Sequence, residues 1–332
     1  MEKVSTIEQV NEAKFLLEKI AQQWGGSIAE VILESNCNFF RVPNLEGGIG
    51  YRVESGFAIV FGDPICPREN IPSLIEAFHR FAKENHLNVV YIIASESFAR
   101  WAMQHHCNIL IEVGEELIFD PQRNPIEGPK ANRLRNKVNH ALRAGIKVKE
   151  YHPIDETLEE KIKEVGIEWL STRKGPQIHL GKLNFFENRN GKRWFYVEEK
   201  DQIIGAALLS RLEAFQGWLL KFSITLPSAP RGTSELLMTS ILETLGKEGC
   251  QFLTYGIVPA KQLGEMMGIG KFPMWLAQKT FQMAKWLFRL DSRKIYWQKF
   301  QPKTARSFVL LSTPRLGLKE IRAILKALKI DF

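Results

Sequence analysis

Three stretches of the sequence carry residue types that could do chemistry. Pro230-Arg231-Gly232-Thr233-Ser234 stands immediately before the amphipathic run Glu235–Leu242. A helix starting there offers unpaired backbone N–H groups, a glycine that permits close approach and an adjacent Arg231, which together make an anion site. The same residues also suit a plain helix start, with Thr233 or Ser234 capping it behind a turn proline. Between Lys130 and Lys149 lie Lys130, Arg133, Arg135, Lys137, Arg143, Lys147 and Lys149 with no intervening acid. Like charges at helical spacing repel, so this stretch is either a solvated surface helix or one compensated by a phosphate-rich partner, RNA or lipid headgroups. From 271 to 306, Lys and Arg recur against the single acid Asp291, interleaved with Phe272, Trp275, Phe281, Trp286 and Phe288. Aromatic and cationic faces on one helix fit a bilayer interface, and Trp275, Phe281, Trp286 and Phe288 are the candidate membrane contacts; a core-packing helix shares the spacing.

Other chemistries find little support. His105-His106 beside Cys107 lacks spaced acidic partners, so no metal site is expected. There is no G-x-S-x-G elbow, H-E-x-x-H pair or Walker loop. The four cysteines, Cys37, Cys66, Cys107 and Cys250, are far apart, and reduced thiols in a cytoplasmic setting are the expectation. The chain has 332 residues, with 45 Lys+Arg against 37 Asp+Glu for a net charge of +8, which favours polyanionic partners. With 45% hydrophobic and 25% charged residues it reads as a globular chain of two domains. No run reaches the ~18 apolar residues of a spanning helix, and the start lacks the regions of a signal peptide, so neither secretion nor membrane insertion is expected.

The elements that must position these residues are of mixed type. Apolar spacing predicts a helix over 6–24, short strands between 28 and 61, a helix from Pro72 to Ala82, a strand over Val89–Ala94, a helix near Phe98–His105 and a strand near Glu116–Phe119. A basic helix is predicted over Lys130–Lys149, with a boundary near residue 150. A second α/β series follows, with helices over 156–170 and 233–247 and strands at 194–198, 203–212, 217–224 and 252–257. Residues 265–292 read as helical, 293–312 as a return to strand, and 316–330 as a last helix. Two halves that each combine a central helix with strands suggest a duplicated α/β fold.

With these segments placed, the chain resembles the C-terminal domain of the phosphatidylglycerol lysyltransferases, the multiple peptide resistance factor family. Matching points run in order through most of the chain: Gly50-Tyr51-Arg52, Phe61-Gly62-Asp63-Pro64, the basic run Arg133–Asn139 ending at Gly145, Glu168-Trp169-Leu170, Leu180-Gly181, Gly249, Tyr255–Ala260 and Tyr296-Trp297-Gln298-Lys299-Phe300-Gln301-Pro302. Two departures stand out. Lys221-Phe222-Ser223-Ile224 replaces an Asp-Leu-Met-Arg strand, and Trp297 replaces the first Lys of Tyr-Lys-x-Lys-Phe.

The resemblance implies an α/β (α+β) fold of tandem GNAT-like acyltransferase domains, each a mixed sheet flanked by helices, as also seen in the Fem ligases. The domains would span 1–150 and 151–332, with the active site in the second. It further implies transfer of an amino acid from aminoacyl-tRNA to a lipid hydroxyl such as that of phosphatidylglycerol. No resident cofactor is needed. The partners would be aminoacyl-tRNA, an anionic membrane surface at which the protein is peripheral, and a membrane-embedded flippase. By resemblance and position, Lys299 and Lys294 would bind phosphate or carbonyl, Glu168 would hold an amine or accept a proton, and Arg231, Gly232, Thr233 and Tyr255 would contact the donor. Arg133, Arg135 and Lys137 would contact tRNA. Two alternatives stay open: an acyl-CoA-dependent N-acyltransferase using the Arg231–Ser234 turn, and a non-catalytic module binding anionic lipid or RNA.

Overall fold

Period-two alternation of apolar side chains builds the framework. On one strand Val89 and Tyr91 point into one buried cluster while Val90 and Ile92 point into another on the opposite face. The computed structural model describes residues 7–34, 37–152, 154–172, 185–186, 189–287 and 291–327. Its first half runs α1 (Ile7–Trp24), α2 (Ala29–Glu34), β1 (Asn38–Phe40), β2 (Ile49–Glu54), β3 (Phe57–Phe61), α3 (Ile71–Glu84), β4 (Asn88–Ser95), α4 (Glu96–His105), β5 (Ile109–Phe119), α5 (Asn132–Arg143) and β6 (Lys147–Tyr151). Then come α6 (Glu156–Ser171), β7 (Lys192–Glu199), β8 (Gln202–Leu212), β9 (Gly217–Thr225), α7 (Thr233–Lys247), β10 (Leu253–Pro259), β11 (Met266–Met267), α8 (Lys271–Leu287), α9 (Asp291–Gln298), β12 (Lys303–Leu311) and α10 (Leu318–Ala327).

The described strands form one mixed sheet in the order β1-β2-β3-β4-β12-β5-β10-β9-β8-β7-β6, with β11 also paired to β5. Two neighbours are parallel, β3 with β4 and β9 with β10, and each pair is bridged by a helix, α3 or α7. This pair of β-α-β units is the expected duplication. The chain is an α/β protein of two such units in tandem, with helices on both faces of the sheet. One face carries α3, α4, α5, α7 and α9, packed through clusters that include Phe78, Phe98, Val138, Leu237 and Trp297. The other carries α1, α2, α8 and α10 over the first unit and α6 over the second. The strands cross the midpoint of the chain in both directions. β12 inserts between β4 and β5, while β6, whose residues 147–151 contain the expected boundary near 150, pairs with β7.

Two predicted elements differ from those observed. The basic helix stops at Arg143, because Gly145 takes φ 80°, and the chain re-emerges as β6. Lys147 and Lys149 therefore lie on an edge strand at exposed alternate positions, where lysine discourages edge-to-edge pairing. The predicted strand over 293–312 begins only at Lys303. Tyr296 and Phe300, four residues apart, instead flank the end of α9 and seat Trp297 in the core.

In the first unit His79 stacks on His106 with centroids 4.6 Å apart, and its Nε2 lies 3.0 Å from the Tyr91 hydroxyl. Burial, with His106 adding to it, lowers the His79 pKa to about 4. The unfolded chain therefore takes up a proton that the folded one refuses between an unfolded pKa of about 6.5 and the folded value, so stability is complete above that window and falls as pH drops through it. Allowing for partial exposure, the expected loss is about 1–2 kcal/mol. Thermal melts from pH 7 to 4.5 on wild type and His79→Phe check it: the variant should lose this part of the pH dependence.

Candidate active site

The start of α7 is where the chemistry-bearing residues of the second unit converge. Gly232 caps the helix in the left-handed region at φ 94°, with no side-chain cap. Thr233 Oγ1 instead donates back to the Pro230 carbonyl at 2.7 Å. A Cβ on Gly232 would stand 2.0 Å from the Lys137 carbonyl oxygen, so the glycine serves the close approach of α5 to α7. The face that a bound anion would use against this residue is thus already taken by protein backbone.

One turn further in, Glu235 is buried at 2% exposure. Lys137 Nζ of α5 donates to its Oε1 at 2.6 Å, Lys299 Nζ donates to the same oxygen, and Ser234 Oγ donates to Oε2 at 3.0 Å. Burial alone would raise the Glu235 pKa, but the two lysine hydrogen bonds outweigh it and hold it at about 2. For Lys299, burial outweighs Glu235 and lowers the pKa. Two ammonium groups share one carboxylate, leaving a single positive charge in excess. The Lys299 ammonium also sits 4.0 Å from the Tyr296 ring centre. The Tyr296 hydroxyl is buried, and burial raises its pKa while Ser234 opposes the shift.

Aromatic rings close the site from the sheet side. Tyr255, on β10, packs against Trp297 with centroids 4.2 Å apart, and Trp297 continues to Phe119 and Phe300 at 5.9 Å each. Trp297 is 4% exposed. The position where the resembled family carries a lysine is here a core position, and an aromatic ring fills it.

Of the residues singled out from the sequence, Gly232, Thr233, Lys137, Lys299 and Tyr255 come together here. Arg231 lies exposed at the rim, its carbonyl 3.0 Å from His140 Nδ1. Arg133 is exposed on α5, whereas Arg135 is spent on the Ile126 and Gly128 carbonyls at 2.7 and 3.3 Å. Glu168 is exposed on α6, on the opposite face of the sheet, and the structure does not bring it to the cluster. On α8, Trp275, Lys279 and Met283 form an exposed stripe at i, i+4, i+8, while Ala277 and Phe281 turn inward onto the core. Phe281 is thus a packing residue in this structure. The side chains of Trp286 and Lys294 and the whole of Phe288 lie outside the described residues.

Sequence reasoning missed Glu235. Its only signal was an acid three residues into a helix that starts at a glycine, which reads as ordinary dipole compensation. Its two lysines come from far away in the sequence, 98 and 64 residues distant.

Comparison with known proteins bears on this arrangement. The family described as phosphatidylglycerol lysyltransferase, C-terminal, matches residues 18–311. The chain belongs to this family. Among its relatives is a phosphatidylglycerol lysyltransferase of Staphylococcus epidermidis, 21% identical over 300 residues that make up 89% of this chain and 35% of that protein. The chain therefore spans about a third of that relative's length. The structure of L-PGS from Bacillus licheniformis superposes with a TM-score of 0.77 at 17% identity, covering 95% of this chain and 96% of that one. FemX follows at a TM-score of 0.52 and 10% identity, covering 93% and 97%; at these identities both show the fold alone. The lysyltransferase-family fold thus agrees with the resemblance read from the sequence, the Fem-type likeness included. No described helix is long and apolar enough to cross a membrane.

Proposed function

We propose that this chain is a tRNA-dependent aminoacyltransferase that moves an aminoacyl group to a hydroxyl of an anionic phospholipid such as phosphatidylglycerol. The observation that carries this reading, within the lysyltransferase family, is the placement of two surfaces on opposite faces of one sheet. The cationic face of α5, with Arg133 and Arg143 exposed, lies beside the Lys137–Glu235–Lys299 cluster, and the Trp275–Lys279–Met283 stripe of α8 lies on the other face. The first suits a polyphosphate chain and the second a bilayer interface.

The reaction exchanges one ester for another. The lipid hydroxyl oxygen attacks the aminoacyl carbonyl carbon, a tetrahedral oxyanion forms, and the bond to the tRNA ribose oxygen breaks. The proton lost by the attacking hydroxyl ends on the departing ribose oxygen. The number of ester bonds is unchanged, so the residues need to supply position, proton transfer and charge stabilisation. In this scheme the single excess positive charge of the Lys137–Glu235–Lys299 cluster faces the developing oxyanion, and Arg133 holds tRNA phosphate.

The test uses purified protein, phosphatidylglycerol liposomes and total tRNA charged with labelled amino acids. Label should enter the lipid extract only with intact charged tRNA and should be lost after ribonuclease treatment. Transfer that survives ribonuclease, or no transfer together with thermal stabilisation by CoA thioesters, would overturn the reading. Arg133→Ala combined with Arg143→Ala should raise the KM for tRNA, leave the KM for lipid unchanged and lower the slope of log affinity against log salt by about 1–2. Equal salt slopes for variant and wild type would remove α5 from the tRNA surface.

A further inference from the structure

Helix α10 presents a cationic stripe on the sheet face that also carries α8. Ala323 and Ala327 are fully buried, and Ile321 and Ile324 pack beside them on the cluster that holds Ala277 and Phe281 of α8. The two helices turn their inner sides to the same core, so their outer sides face away from the sheet. On α10 that outer side carries Lys319, Arg322 and Lys326, all exposed and spaced at i, i+3, i+7, with exposed Arg315 just ahead of the helix. None of the four forms an ion pair among the described residues. The one acid of the helix, Glu320, is engaged locally: its Oε2 accepts the Gly317 backbone N–H at 2.9 Å.

The stripe is held in a fixed orientation. Beneath α10, Arg52 of β2 is 8% exposed and donates from Nη1 to the Ala327 carbonyl at 2.5 Å, so a cation satisfies an end carbonyl of the helix and opposes its dipole. The small Ala323 and Ala327 let α10 lie close on β2 and β3. Apolar groups stand among the cations. Leu318, which opens α10, is 70% exposed, and Trp275 and Met283 of α8, on either side of Lys279, are 53% and 50% exposed. Like charges at helical spacing repel, so the stripe gains most against an anionic partner. The apolar side chains decide which one. A bilayer takes Leu, Trp and Met into its acyl boundary while its phosphates meet Lys and Arg; an RNA backbone offers phosphates and no apolar phase.

We propose that α10, together with α8, docks this protein on the anionic surface of a bilayer, and that aminoacylation of the lipid releases it. A polybasic face responds to the net charge of the surface within a Debye length and not to the identity of the headgroup. The phosphatidylglycerol headgroup carries the single negative charge of its phosphodiester. Resting on the aminoacyl-transfer reading above, each transfer replaces the hydroxyl hydrogen with an aminoacyl group and leaves the phosphate intact. The ammonium form of the new amino group cancels the phosphate charge, and a lysyl group, with two ammonium groups, reverses it. Product thus removes the field that holds α10, and the protein leaves a converted patch of lipid for one still anionic.

The experiment measures co-sedimentation of the purified protein with four kinds of vesicle: phosphatidylcholine alone, phosphatidylcholine with phosphatidylglycerol, phosphatidylcholine with phosphatidylserine, and the phosphatidylglycerol mixture charge-matched by an equal amount of a dialkyl trimethylammonium lipid. Wild type should bind both anionic vesicles to a similar degree and neither of the other two. Removing one cation should lower partition about fivefold, so Lys319→Ala, Arg322→Ala and Lys326→Ala together should lower it on the order of a hundredfold, with Tm unchanged because all three are exposed. No binding to anionic vesicles by wild type, or binding unchanged in the triple variant, would overturn the docking surface. Loss of affinity for total tRNA in the triple variant with vesicle binding intact would assign the stripe to RNA and overturn it as well. Binding that persists on the charge-matched vesicles would overturn release by product. Vesicle binding that depends on these three cations but comes with no transfer from charged tRNA would support the docking surface and overturn the aminoacyl-transfer reading. Transfer by a protein whose vesicle binding ignores them would do the reverse.

Discussion

Glu235→Gln is expected to destabilise the protein by about 2–3 kcal/mol, visible as a Tm lowered by several degrees. The substitution keeps the shape and removes the charge, so Lys137 and Lys299 are left as two like charges around a neutral amide. Breaking a buried pair from one side leaves uncompensated charge, and such losses reach about 3–5 kcal/mol where the ions are fully enclosed. The lysine side chains here are 31% and 23% exposed, so water takes up part of that cost. The pH dependence provides a second readout with a definite sign. Glu235 has its pKa lowered from 4.5 to about 2, so its contribution is complete above the unfolded value and is lost as pH falls through the window between them. Integrated over that window the effect is about 3 kcal/mol, of the same size as the mutational one. Urea unfolding of wild type and variant at pH 7 and at pH 3 should show the gap between them narrowing at the lower pH. A gap equally wide at both would mean that the carboxylate is not held by the two lysines. Because Lys299→Met leaves Glu235 still paired with Lys137, it should cost less than Glu235→Gln.

How much of this was legible in the sequence depends on the range of the interaction that fixes each residue. Helices α3, α6 and α7 and strands β4 and β8 are encoded by local period, and their positions match the predicted ones to within a few residues. The basic stretch was misjudged as one helix because its charge pattern is continuous across Gly145. Only the left-handed turn at that glycine and the pairing of β6 with β7 divide it. The strand expected over 293–312 failed at its start for a tertiary reason: Trp297 and Phe300 are drawn into the core beside Phe119, which favours α9 there. The site residues follow the same rule. Lys299 and Lys137 were singled out by type, but the carboxylate that joins them was not, since neither spacing nor charge pattern relates residues 137, 235 and 299.

The second large effect is expected at Gly232. Gly232→Ala should cost about 2–4 kcal/mol, because two separate penalties coincide there. The backbone sits at φ 94°, a region that a residue with a Cβ enters at about 1–2 kcal/mol. The added methyl would also stand 2.0 Å from the Lys137 carbonyl oxygen, and a backbone carbonyl of a packed helix has no rotamer into which to retreat. Either α5 moves away from α7 or the first turn of α7 unwinds. Gly249→Ala isolates the first penalty, because Gly249 has a similar φ of 81° and an added Cβ there would meet nothing within 4 Å. Its cost should be the conformational one alone, about 1 kcal/mol. The difference between the two melts then measures the contact between α5 and α7. Equal losses would mean that the helices part without cost and that the Lys137–Glu235 pair, rather than backbone packing, joins them. A substantial difference means that the glycine expected from the sequence to admit an anion instead admits another helix. On that packing Lys137 reaches Glu235, and through Glu235 the start of α7 is tied to Lys299 at the end of the chain's second unit.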